Sequence, residues 1–177
     1  MSSIAELSRH RWALPILVEL HRRSGSRFVP LANELGVSRD TLRQTLSAMI
    51  EAGLVMQNPG YGHPLRPEYV LTPRGGRIAP ICAAVLRALR QAGAEDVGLK
   101  KWSLPILAAL TTERRYGEVR RTVGATPRAL TLALKELVGS GLVERRVHDG
   151  FPPSTTYRIT ARSRTLRRHA ARLAEAL

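Results

Sequence analysis

A mainly α chain with small β-hairpin wings (α+β), written twice in tandem, is the architecture this sequence predicts. Three observations predict it. The stretch RWALPIL, opening at Arg11, recurs as KWSLPIL, opening at Lys101. Downstream of each, apolar residues fall at i, i+4, i+7, i+8, the spacing of one helical face. Each half then shows two short β-type runs around a loop rich in Gly and Pro.

The repeat extends well beyond the opening phrase. A slide of 88 residues brings Arg27 onto Arg115, Phe28 onto Tyr116, Gly36 onto Gly124, Leu42 onto Leu130 and Leu46 onto Leu134. The same slide lays Gly53-Leu54-Val55 on Gly141-Leu142-Val143, Pro64 on Pro152, Tyr69 on Tyr157 and Thr72 on Thr160. The opening phrase needs a slide of 90, so the first copy has two extra residues near His21–Ser26, a place expected to be a loop. A period this long marks a duplicated domain; solenoid units run about 20–50 residues. The expected domains are 1–92 and 93–177, joined through the linker QAGAEDVGL at Gln91–Leu99.

Each copy predicts the same elements in the same order. An apolar helix comes first, near Trp12–Arg22 and Trp102–Thr112. Pro15 and Pro105 fit it only in the first turn, where a missing N–H costs no helical bond. Trp12 and Trp102 open these helices and are expected to anchor the core. A short helix follows, near Val29–Leu35 and Tyr116–Val123, stopped by Gly36 or Gly124. Ser38 and Thr126 then stand as N-caps of a third helix, Arg39–Ala52 and Pro127–Ser140. Its stripe is Leu42, Leu46, Met49 and Ile50 in one copy and Leu130, Leu134, Leu137 and Val138 in the other. Two helices across a tight Gly turn form a helix-turn-helix. Strands at Leu54–Met56 and Tyr69–Leu71, and at Leu142–Arg146 and Tyr157–Ile159, add a hairpin, which makes the module a winged helix. A closing helix follows Thr72 or Thr160, expected as its caps. Its stripe is Ile78, Ile81, Cys82, Val85, Leu86 and Leu89, or Leu166, Ala170, Leu173 and Leu177. The whole predicts tandem duplicated winged helix-turn-helix domains forming an intrachain pseudo-dimer.

Charge narrows the partners. The 177 residues hold 28 Lys and Arg against 14 Asp and Glu, a net +14. Lys100, Lys101 and Lys135 are the lysines and all other cations are Arg, whose flat fork suits phosphates and guanine edges. Such a balance points to a polyanion, nucleic acid first and an anionic membrane second. No run approaches the roughly 18 apolar residues of a membrane span. The N-terminus lacks the order of a signal peptide. These features predict a soluble, intracellular protein with no membrane partner. A single cysteine, Cys82, leaves no internal disulfide, and its place on an apolar stripe reads as core rather than redox sensor. Five scattered His show no metal-ligand spacing. Without a Gly-rich phosphate loop or a nucleophile–base arrangement, no cofactor and no enzyme activity are expected.

The residues resemble a known family. Arg/Lys-Trp-x-Leu-x-Ile-Leu opening a helix, (Phe/Tyr)-x-x-(Leu/Val) in the second helix and Ser/Thr-x-x-x-Leu at the third are similar to the HxlR-type winged-helix regulators, a branch near the MarR type. Gly-Leu-Val before the wing, Pro within it and Tyr-x-(Leu/Ile)-Thr after it complete the pattern. The second copy, about residues 100–177, matches more closely than the first, about 10–92. The resemblance implies prokaryotic transcription factors, cytoplasmic and nucleoid-associated, that bind operator DNA as dimers formed by their terminal helices. Typical members carry one module and this chain carries two. That departure implies a dimer fused into one polypeptide: a monomer with internal pseudo-two-fold symmetry, its further self-association left open.

Candidate contacts with double-stranded DNA follow from the third helix, which lies in the major groove in this architecture. Off its apolar stripe the first copy offers Arg39, Asp40, Thr41, Arg43, Gln44 and Ser47, after the cap Ser38. The second offers Arg128, Thr131 and Lys135, after the cap Thr126. Arg43 or Arg128 can hold guanine by two hydrogen bonds and Gln44 can hold adenine; a solvated helix face is the competing interpretation. The wings add His63 and Arg66, and Arg146, His148, Ser154 and Thr155. Arg27, Arg115, Arg120 and Arg121, near the second helix, are candidate phosphate clamps. The two helices differ, with Leu132 where the first copy has Gln44, so an asymmetric site is expected. Residues 1–88 carry a net +5 and residues 89–177 a net +9, so the second half is expected to bind more tightly. The leading reading is a transcriptional regulator whose winged helices bind adjacent half-sites, about 34 Å apart. An architectural or genome-maintenance binder with little sequence preference is one alternative. A winged-helix protein-interaction scaffold is the other.

Overall fold

A computed structural model describes residues 3–58, 67–151 and 153–177. The first module runs α1 (Ile4–Leu7), α2 (Ala13–Arg23), β1 (Ser26–Arg27), α3 (Phe28–Leu35), α4 (Arg39–Glu51), β2 (Val55–Asn58), β3 (Glu68–Leu71) and α5 (Pro73–Gln91). The second repeats it as α6 (Glu95–Gly98), α7 (Ser103–Ala109), β4 (Arg114–Arg115), α8 (Tyr116–Val123), α9 (Pro127–Gly139), β5 (Val143–His148) and β6 (Ser154–Ile159). A 3₁₀ turn (Ala161–Ser163) and α10 (Arg164–Ala176) close it.

Local chemistry accounts for these elements. Pro15 and Pro105 are each the third residue of their helix, where the lost N–H has no intrahelical acceptor. Gly36 and Gly124 end α3 and α8 at φ +61° and +70°, the left-handed turn that a side chain resists. Ser38 and Thr126 cap α4 and α9 by accepting from the Thr41 and Ala129 amides. The stripes of α4 and α9 face inward: Leu42, Leu46 and Met49, and Leu130, Leu134 and Leu137, are almost wholly buried. Each such side chain contributes roughly 1.5–3 kcal/mol.

Each wing hairpin gains a third strand. β1 joins β3 through Ser26↔Tyr69, and β4 joins β6 through Arg114↔Tyr157. The hairpins pair antiparallel, from Val55↔Leu71 to Asn58↔Glu68 and from Val143↔Ile159 to His148↔Ser154.

The modules meet along α5 and α10, and α1 of the first lies on α7 of the second. The helices α5 and α10 run antiparallel, fixed by a reciprocal exchange of arginines. At the start of α5, Arg74 donates to the carbonyl of Leu177 at 2.6 Å, beyond the end of α10. In the second module Arg162 donates to the carbonyl of Ala92, at the end of α5. Each guanidinium answers carbonyls that a helix C-terminus leaves without partners. Arg74 also holds Ala52, at the end of α4, at 3.0 Å. Arg11 reaches Asp96 of α6 at 2.6 Å, a further bond between modules.

Four local expectations change. The two extra residues of the first copy lengthen a helix instead of a loop: α2 has 11 residues and α7 has 7. Buried Glu19 holds that added turn, accepting from Arg22 at 2.7 Å and from Arg23, while Glu34 binds both guanidiniums. These bonds hold the Glu19 carboxyl below its ordinary range, with Arg22 the largest cause. The matching position in the second copy is Ala109, where α7 stops. The expected linker contains α6, which packs on α5, α7 and α9. Thr72 caps α5, but Thr160 does not cap α10, which starts only at Arg164. There Thr160 donates to Gly141 at 2.8 Å, and the buried Ser163 donates to the Leu142 carbonyl at 2.5 Å. Finally, Trp12 and Trp102 are half-buried at the helix starts, packed against the core rather than within it.

Cys82 is buried among core residues of α5, and burial pushes its thiol up to about 12. Among the described residues no three His, Cys, Asp or Glu gather as a metal site, and no helix is long and apolar enough to cross a membrane.

Candidate nucleic-acid interface

The two third helices present different chemistry. On α4, Arg39, Arg43, Gln44 and Ser47 are exposed. Arg43 is paired with Asp40 at 2.7 Å, with side chains 65% and 84% exposed. A pair so exposed holds well under 1 kcal/mol, which a phosphate or a guanine edge can displace. Thr41 is half-buried and takes a hydrogen bond from the Ser38 hydroxyl at 2.9 Å, so both side chains are committed to the cap.

On α9, Arg128 and Lys135 are exposed without an ion pair to any described residue. Thr131 lies 3.2 Å from the hydroxyl of Tyr116, which donates to the Pro127 carbonyl at 3.0 Å. That phenol locks α8 to the first turn of α9. Phe28, its counterpart, has no hydroxyl and instead meets Tyr69, ring centroids 6.5 Å apart. Between Arg128 and Lys135 stands Leu132, 58% exposed. An exposed leucine at this place is suited to a thymine methyl group, a role that the substitution for Gln44 could have signalled.

Arg27 and Arg115 precede α3 and α8 as exposed N-cap residues. The Arg115 amide donates to Glu118 at 2.7 Å. Arg120 and Arg121 are exposed on α8 and line a shallow depression of about 540 Å³ with Gly117, Gly124 and Ala125. His63 and Arg66 lie outside the described residues.

The second wing has two faces of opposite character, as strand alternation requires. One face carries Glu144, Arg146 and His148. Arg146 bonds Glu144 at 3.0 Å and approaches Glu113 at 3.7 Å. His148 lies 2.7 Å from Thr156 and 3.3 Å from Glu113. Arg158 bonds Glu144 at 2.7 Å. The Glu113 and Glu144 carboxyls are held below their ordinary range, first by Thr156 and first by Arg158 respectively. Arg146 and His148 therefore serve an internal charge cluster. Ser154 and Thr155 are half-buried in the hairpin, opposite His148 and Val147.

The opposite face holds Arg145, exposed and without an ion pair to any described residue, and Val147, 56% exposed; beyond the strand stands Phe151, fully exposed. These three were not among the residues expected from sequence. Strand alternation separates Arg145 from Arg146, but only once the register of β5 is known.

The family model described as HxlR-like helix-turn-helix matches the chain twice, at residues 7–95 and 97–176. An uncharacterized HTH-type transcriptional regulator of Halalkalibacterium halodurans is 35% identical over 69 residues, 37% of this chain and 61% of that protein. One of Synechocystis is 35% identical over 68 residues, covering 37% and 50%. The chain thus spans about half to three-fifths of these curated relatives. Among solved structures, a Porphyromonas gingivalis chain described as a MarR-family regulator gives a TM-score of 0.44 at 26% identity, covering 47% of this chain and 83% of that one.

Proposed function

The chain belongs to the HxlR-like helix-turn-helix family, and from that membership we propose that it is a transcriptional regulator that holds double-stranded DNA with both winged helices, each on its own half-site. One observation carries the reading: α4 and α9 both expose side chains able to bond bases and phosphates, on a chain of net charge +14. The arginine exchange between α5 and α10 supports a joint action of the two helices, since it packs the modules together. The difference between Arg39, Arg43 and Gln44 on one side and Arg128, Leu132 and Lys135 on the other favours an asymmetric operator. Arg27, Arg115, Arg120 and Arg121 position the backbone.

A second reading has one observation in its favour. Phe151 and Val147, exposed on the second wing, are of the apolar type that architectural proteins wedge between base steps.

Selection of bound sites from random duplexes, then titration of the winner against scrambled DNA at fixed salt, separates the two. The regulator reading expects an asymmetric motif bound about a thousandfold more tightly than scrambled DNA, and loss of that margin in R128A/K135A. Tight binding without a motif supports the architectural reading. No binding at physiological salt ends both and favours a protein-binding scaffold.

A further inference from the structure

The second module holds a cleft of about 430 Å³ where the end of α7 meets β6 and the start of α10. Leu110 and Ile159 form its apolar floor, and Arg158, Arg164, Arg167 and Arg168 stand around it. The guanidiniums of Arg164, Arg167 and Arg168 make no hydrogen bond or ion pair with any described residue, and Arg167 is half-buried. Cations gathered this way repel one another, and a bound anion relieves that repulsion.

The duplicated fold supplies its own comparison. A cleft of the same volume lies at the matching place in the first module, lined by Leu20, Leu71, Val70 and Gly76 among others. Its floor keeps the apolar pair, Leu20 and Leu71 for Leu110 and Ile159. The four arginine positions fall there on Val70, Gly76, Ala79 and Pro80. In the other direction Arg77 falls on Thr165. One ancestral cleft thus exists in a neutral form and in a cationic form.

We propose that the cationic cleft binds a small organic anion, one phosphate or carboxylate group held by Arg164, Arg167 and Arg168, since Arg158 is engaged by Glu144, and an apolar body laid on Leu110 and Ile159. Guanidinium forks bond either group through paired charge-assisted hydrogen bonds. The one carboxylate at the cleft, Glu113, is already engaged by Thr156, His148 and Arg146. Glu113 and Arg158 both bond residues of the second wing, so the site adjoins that wing.

The test is a titration of the full chain, without DNA, by phenyl phosphate, followed by amide NMR shifts at constant ionic strength. Saturable shifts are expected at Thr111, Thr112, Ile159 and Arg164–Arg168, with Leu20–Ser24 and Val70–Gly76 unmoved. R167Q/R168Q is expected to weaken binding about tenfold or more, and R164Q, at a more exposed position, to weaken it in the same direction. R9Q/R77Q removes as much charge elsewhere, at exposed positions, and is expected to leave the affinity unchanged. Shifts spread over both clefts, or equal losses in R9Q/R77Q and R167Q/R168Q, reduce the effect to general charge attraction and overturn the proposal. Phenyl phosphate binding no tighter than inorganic phosphate overturns the apolar subsite. Loss of DNA affinity in R167Q/R168Q as large as in R128A/K135A makes these arginines DNA contacts and also overturns it. Because the titration contains no DNA, its failure is separate from failure of the regulator reading.

Discussion

Replacing Gly75 with Ala tests how closely α5 is seated on the wing. Gly75 is the third residue of α5 and is buried. A Cβ built there stands 2.0 Å from the Leu54 carbonyl oxygen and 3.1 Å from its carbon. Ordinary contact needs roughly 3.5 Å, so the helix start must back away by more than an ångström. Leu54 is backbone and cannot turn aside as a side chain would. The same carbonyl accepts from the Thr72 amide at 3.1 Å, and Thr72 caps the Gly75 amide at 3.1 Å, so the retreat loosens both bonds. Helix propensity favours Ala over Gly by about 1 kcal/mol. Against it stand about 1–3 kcal/mol of overpacking and up to about 1 kcal/mol of weakened cap. The net expectation is a loss of about 2 kcal/mol, read as a lower urea midpoint at unchanged slope. Gly76→Ala is the control, because nothing lies within 4 Å of its Cβ; it should be neutral or gain up to about 1 kcal/mol. A Gly75→Ala chain as stable as the parent refutes the reasoning.

Two further outcomes follow from the contact between modules. Arg74→Ala and Arg162→Ala each strip a helix end of its guanidinium and should each cost about 1–2 kcal/mol, read as a lower melting temperature; unchanged melting in both would mean that the exchange adds nothing. His169 of α10 has a buried Nδ1 with no hydrogen-bond partner among the described residues, and burial, then Arg168, Arg172 and Arg87, lower its pKa from 6.5. The unfolded chain therefore takes up the proton first, so stability should be complete above pH 6.5 and fall as the pH drops through the lowered value. His169→Gln should flatten that dependence in urea melts at pH 7.5 and 5.0; an equal slope in both proteins would place the titration elsewhere.

The duplication made the fold legible. Leucines at helical spacing and caps at Ser38, Thr72 and Thr126 identify α4, α5 and α9 with their starts. The strands β1 and β4 escaped notice because two residues carry no periodicity. Thr160 misled because its role depends on Ser163, whose hydroxyl takes the Leu142 carbonyl, the counterpart of the Leu54 carbonyl that α5 approaches directly through Gly75. The exposed residues of α4 and α9 could be read from the helical period. On the wing, the division of labour between Arg145 and Arg146 could not, because it depends on Glu113, distant in sequence.

The contrast of Gly75 with Ser163, and of Val70 with Arg158, has a consequence for how such a chain can drift. In a homodimer with two-fold symmetry every substitution arrives twice, and an interface residue must tolerate its own image. Here α5 and α10 are separate text. A change in one half needs a single matching answer from the other, and a harmful change is present only once. The contact between them is also supplied from within the chain, so dilution that would separate the subunits of a dimer leaves it made. The molecule keeps the geometry of a pair while each member is free to specialise.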